Sequence, residues 1–152
     1  MTDSLETDQL ARLIEVRHAL LSQLWRLAGH QSELVEHDDM QRMISLLAVK
    51  QRVLNQLQQV ERQLDPFRGQ DPDRRIWRSA QDRHRCREVA EACDQLLRQI
   101  MDAERESERE LIQRRDQTAA VLQGVHNSAS ASQAYVSSLE LRGSHFDASC
   151  DT

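Results

Sequence analysis

From Ser79 up to Gly124 the chain meets neither glycine nor proline: residues 79–123 contain none. These are the two residues that most readily end or weaken a helix, so the spacing predicts one helix over about residues 80–124. Two earlier apolar-periodic segments, residues 5–35 and 40–64, are shorter and similar to each other in length. A helix that outruns the bundle it packs in must offer its surplus face to something else. The far part of the long segment is therefore the first place to look for function.

Composition supports helices and little else. Apolar residues make up 39% of the 152, aromatics 3% and charged residues 30%, with only two prolines and four glycines. That profile fits long amphipathic helices with a narrow aliphatic seam in a single domain. The formal charge of −5 argues against bulk binding to nucleic acid or anionic membrane. The first residues carry neither a basic region nor an apolar run, and no stretch is long and apolar enough to span a bilayer. The expectation is a cytoplasmic chain without membrane insertion. Cys86, Cys93 and Cys150 fit a reducing compartment. On one helix Cys86 and Cys93 would lie ~10 Å apart, too far for a disulfide.

In the first segment Leu10, Leu13, Ile14, Leu20, Leu21, Leu24, Leu27, Ala28, Leu34 and Val35 recur in steps of three and four, close to a heptad. Thr7 and Asp8 mark its start, near residue 7. His37-Asp38-Asp39 breaks the pattern, and either aspartate can cap a second helix over 39–64. There Met43, Leu47, Leu54, Leu57 and Leu64 continue the repeat. So short a break predicts an antiparallel hairpin with arms of ~40 Å. Four seam positions are polar. Folding about residues 37–38 sets Lys50 across from Trp25, as a cation–π pair, and Glu61 within a turn of Arg17, as an ion pair; the alternative is that all four, Arg17, Gln31, Lys50 and Glu61, snorkel to solvent. Pro66 is expected to end the second helix and Pro72 to keep the connection extended. Phe67, Ile76 and Trp77 are expected to close the bundle end, and Ser79 with Asp82 to cap the third helix.

The fold expected is all-α: an antiparallel three-helix bundle over residues 1–125, with an overlong last helix. The Ser/Ala-rich residues 126–152 read as a flexible tail with a short sticky motif at Tyr135, Leu139, Leu141 and Phe146. If the third helix runs antiparallel to the second, it draws level with the hairpin turn near Glu104 to Glu106. There the chain becomes almost wholly charged.

No constellation points to catalysis, a metal or a cofactor. His84 and Cys86, two apart on a helix, face different sides, and Cys86 and Cys93 read as small core residues. Glu104, Glu106, Glu108 and Glu110 fan around the helix beside arginines instead of converging. The tail serines have no His/Asp partner. Seven arginines between Arg68 and Arg87, with Trp77 among them, leave nucleic-acid contact as a minor alternative through Arg74, Arg75, Arg78 and Arg83. The amphipathic surplus is the stronger candidate: Leu111, Ile112, Ala119, Val121, Leu122 and Val125 form an apolar stripe with arginines beside it, which suits helix-on-helix recognition. Periodicity alone leaves a foreign partner and self-association open.

The run from Leu27 to Leu54, LAGHQSELVEHDDMQRMISLLAVKQRVL, resembles the FlgN family of flagellar export chaperones. The likeness rests on a leucine-rich first helix, an acidic turn at Asp38-Asp39 and a second leucine-rich helix carrying Lys50-Gln51, and extends over about residues 10–125. It implies a cytoplasmic, non-enzymatic chaperone that binds hook-associated flagellar subunits before type III export. It also implies that Leu111, Ile112, Arg115, Ala119 and Leu122 grip a helix of the client. The basic loop at residues 65–78 and the tail at 135–146 have no counterpart in that pattern.

Overall fold

In a computed structural model the chain is all-α, with α1 at Glu6–Glu36, α2 at Met40–Arg68, a short 3-10 turn at Pro72–Arg74 and α3 at Ala80–Asp147. The structure describes residues 3–147, and side chains over residues 3–140. The chain divides into two units, Met1–Glu108 and Arg109–Thr152.

The first unit is built on three heptad tracks. On α1 the track is Thr7, Leu10, Ile14, Arg17, Leu21, Leu24, Ala28, Gln31 and Val35, all buried or half-buried. On α2 it is Met43, Leu46, Lys50, Val53, Leu57, Val60, Leu64 and Phe67. On α3 Cys86, Val89, Cys93, Leu96 and Ile100 face them, with Cys93 fully enclosed. Leu47 and Leu54, expected in the seam, are instead 46% and 36% exposed. The core takes Leu46 and Val53, and a residue one step later on a helix points ~100° away.

Polar seam residues lock the register. Arg17 Nε donates to Glu61 Oε1 at 2.5 Å, the ion pair that the spacing predicts. Lys50 does not use Trp25. Its ammonium donates to Gln31 Oε1 at 3.2 Å and Glu104 Oε1 at 2.5 Å. Gln31 lies nearer the turn than Trp25, and a carboxylate holds an ammonium better than a ring does. One lysine thereby ties all three helices together.

The hairpin turns at Asp38, whose φ is 55°, while the Asp39 side chain accepts from the Arg42 N–H at 3.1 Å and caps α2. Aspartate tolerates the left-handed region, whereas a β-branched residue does not. Asp38→Val should therefore cost about 1–2 kcal/mol in urea denaturation. Asp38→Gly should leave the midpoint unchanged or slightly raised.

The connection departs from expectation at several points. Pro66 does not end α2, which runs on to Arg68. Burial of Phe67 and pairing of Arg68 with Glu61 and Asp65 hold that last turn. Pro72 opens the 3-10 turn, with the Asp71 carboxylate accepting from the Asp73 N–H at 3.0 Å. Trp77 packs on the core but Ile76 is 73% exposed. The Ile76 carbonyl instead accepts from Thr7 Oγ1 at 2.7 Å, tying the connection to the start of α1. The cap of α1 is accordingly made by Asp8, which accepts from the Leu5 N–H at 3.0 Å. Ser79 caps α3 as its spacing predicts, accepting from the Asp82 N–H at 3.1 Å.

The largest departure is the length of α3. It passes through Gly124 and the Ser/Ala run and continues to Asp147, where the sequence reads a flexible tail. A lone glycine costs a helix only about 1 kcal/mol, and alanine is the best helix former. A segment too polar for a core therefore still keeps helical backbone. Cys150 lies outside the described residues.

Candidate functional site

After Glu108 the described side chains of α3 are exposed or half-exposed, and none is buried. Leu111 is 48% exposed, Ile112 40% and Leu122 63%. Ala119 and Arg115 are also open to solvent, the arginine reaching only the adjacent Asp116 at 3.6 Å. At 100° per residue the five predicted positions fall within about 100° of the helix circumference. They form one face.

That face extends beyond Val125. Leu111, Val125 and Leu139 recur every two heptads, and Leu122 with Val136 form a second track beside them. All five are exposed. Arg115, Thr118, Ala129 and Ser132 fill the intervening heptad positions. Serines and alanines separate Val136 and Leu139 from Val125, so the sequence places Leu139 in the tail motif and gives Val136 no role. The signal that assigns them is the 14-residue repeat, which alternating Ser and Ala leave uninterrupted. A stripe with this spacing suits knobs-into-holes packing against another helix. Leu141 and Phe146 lie outside the described side chains.

The basic patch at the other candidate site is internally neutralised. Arg68 pairs with Glu61 and Asp65, Arg74 with Asp71, Arg83 with Asp73, Arg85 with Glu15 and Arg87 with Glu91. Arg78 binds Asp8 at 2.7 Å and the Asp3 carbonyl at 2.7 Å. Arg75 donates to the Phe67 carbonyl at 2.6 Å, while its Nε is buried without a partner. A cleft of about 440 Å³ opens here, lined by Leu5, Thr7, Phe67, Arg74, Arg75 and Ile76. The only hydroxyl among those side chains, Thr7, is already committed to the Ile76 carbonyl.

Cys86 and Cys93 are free, buried thiols, and burial raises both above the ordinary thiol value. They stay protonated at neutral pH, as inert core residues do. His84 is exposed and lies 3.0 Å from the Glu88 carboxylate. Among the described residues no group of three His, Cys, Asp or Glu could hold a metal ion. No helix among them is long and apolar enough to cross a membrane.

The one clearly tuned carboxylate of the seam is Glu61. Burial pushes it up, but hydrogen bonds from Arg68 and Arg17 outweigh that and hold it below the ordinary carboxylate value. A depressed pKa contributes stability that is present above the unfolded value and lost as pH falls through the folded one. Between neutral pH and about pH 4 the pair should hold, and its contribution should fade only below that. Glu61→Gln should lower stability at pH 7 by about 1 kcal/mol, with the gap to wild type closing at acid pH. Urea midpoints across that range check it.

No protein-family model matches the chain, and neither does any curated protein or solved structure.

Proposed function

We propose that this protein is a non-enzymatic, cytoplasmic helical chaperone that holds a helical protein partner along the exposed face of α3 over residues 111–139. The observation that carries this reading is a leucine and valine stripe, repeating every two heptads, with no buried member. The bundle core is complete without it. A conserved fold need not be invoked: an exposed apolar stripe of this length is itself a recognition surface. The partner class follows from the resemblance to the FlgN family, which points to hook-associated flagellar subunits before export.

The test is co-purification from the native cell with full-length bait, wild type against a Leu111→Glu, Leu122→Glu variant. Recovery of flagellar filament-junction subunits with the wild type alone supports both the chaperone and its site. Partners retained by the variant would move the interface elsewhere.

Self-association through the same face is the second reading, since such a stripe can also serve a coiled coil. A parallel homodimer would set Arg115 against its own copy at a seam position, where like charges repel. The nucleic-acid reading is weaker, because the arginines it needs already have intramolecular acceptors.

A further inference from the structure

Of the seven arginines between Arg68 and Arg87, six pair with a carboxylate. Arg75 is the exception among the described residues. Its guanidinium donates to the Phe67 carbonyl at 2.6 Å, and its Nε is buried without a partner. A half-buried cation without a counter-charge is costly, which is why such groups are normally paired.

Arg75 also lines a second cleft, of about 310 Å³, between the start of α1, the connection and the first turns of α3. Its apolar lining is part of the bundle end: Leu10 and Cys86 are buried, and Ile14 and Trp77 pack on the core. Its charged lining is one-sided, with Arg75, Arg83 and Arg87 against Asp73. Arg83 reaches Asp73 at 3.5 Å and Arg87 reaches Glu91 at 3.8 Å, all four on exposed side chains. Pairs of that kind hold a charge only weakly. Burial raises the Cys86 thiol and the Arg75 charge partly offsets it, so the field of Arg75 is felt inside the cleft.

We infer that this cleft binds a small amphipathic anion, a carboxylate or phosphate carried on a short apolar body. The oxyanion faces Arg75 and supplies the counter-charge that the fold leaves out; charge-assisted hydrogen bonds of this type are the strong ones. The body lies against Trp77, Leu10 and Ile14. Both halves are needed. A bare oxyanion gains nothing from the apolar lining, and a neutral apolar molecule leaves Arg75 unpaired. The volume lies near the lower end of the ~300–1,000 Å³ typical of small-molecule sites, which suits a medium-chain acid. The site calls on one unpaired cation, not on the whole arginine patch, and it is independent of the α3 face.

Fluorescence of Trp77 tests this on the full chain, in a Trp25→Phe background that removes the other tryptophan. The probes are octanoate, octyl phosphate, octanol and inorganic phosphate. Octanoate or octyl phosphate should give a saturable change with a Kd of about 0.1–1 mM, and the tighter of the two identifies the headgroup. Octanol and inorganic phosphate, each lacking one half, should bind at least about tenfold more weakly. Arg75→Gln should weaken the better probe by at least about tenfold, with circular dichroism like wild type. Arg62→Gln, on α2 outside the cleft, should not. The Leu111→Glu, Leu122→Glu variant should bind the probe as wild type does, which separates this site from apolar capture on α3. No saturable change below about 10 mM overturns the inference. So does octanol or inorganic phosphate binding as tightly as the amphiphile, or a folded Arg75→Gln variant that binds normally. The comparison of the four probes needs no change at Arg75, so it decides the matter even if that variant fails to fold.

Discussion

Replacing Leu111 and Leu122 together with glutamate is expected to weaken partner binding at least about 100-fold, roughly 3 kcal/mol, while the thermal midpoint stays within about 2 °C of wild type. The two halves of the result come from different physics. In a helix pair these leucines would be desolvated knobs, and a carboxylate in that position is buried without a counter-charge. In the free protein both side chains already meet water, so the substitution removes little burial. Calorimetry on the variant, with titration against whichever partner co-purifies, reads both quantities. A midpoint lowered by 10 °C or more would mean that these leucines belong to a core.

The opposite pattern is expected at Leu21. Its side chain is 1% exposed, at the centre of the α1 track, against the seam where α2 and α3 meet it. Leu21→Ala removes packed methyl groups and leaves a cavity that three helices cannot all collapse into. A loss of 2–5 kcal/mol follows. That is a large fraction of the stability of a domain this size, and the midpoint should fall on the order of 10 °C. At a temperature where the variant is still folded, partner affinity should match wild type, because Leu21 does not lie on the exposed face. Together the two variants separate what holds the bundle from what the stripe binds.

Much of the first unit is legible in the sequence because it rests on local chemistry. The turn at Asp38, the caps at Asp39 and Ser79, and the pairing of Arg17 with Glu61 all follow from residue type and spacing. The α2 seam is less legible. Two interleaved apolar tracks one residue apart, Leu46/Val53 and Leu47/Leu54, both fit a heptad, and only packing against α1 decides between them. Lys50 is misplaced for a related reason. Hairpin register predicts which backbones lie opposite, but a four-carbon side chain chooses its acceptor among three helices. The candidate face was legible in its first half, where Leu111, Ile112 and Leu122 are close together. Its second half was hidden, because low hydrophobicity at residues 126–134 reads as disorder while the same residues have good helix propensity.

The central claim is that residues 111–139 of α3 hold a different protein. The most direct measurement is site-specific photo-crosslinking in the native cell, with benzoyl-phenylalanine in place of Leu122 and, as control, in place of the buried Val53. The account predicts that position 122 joins a helical segment of one foreign protein, identified by mass spectrometry, and that position 53 joins none. Adducts at 122 made only with further copies of this chain, or none at all, would contradict it.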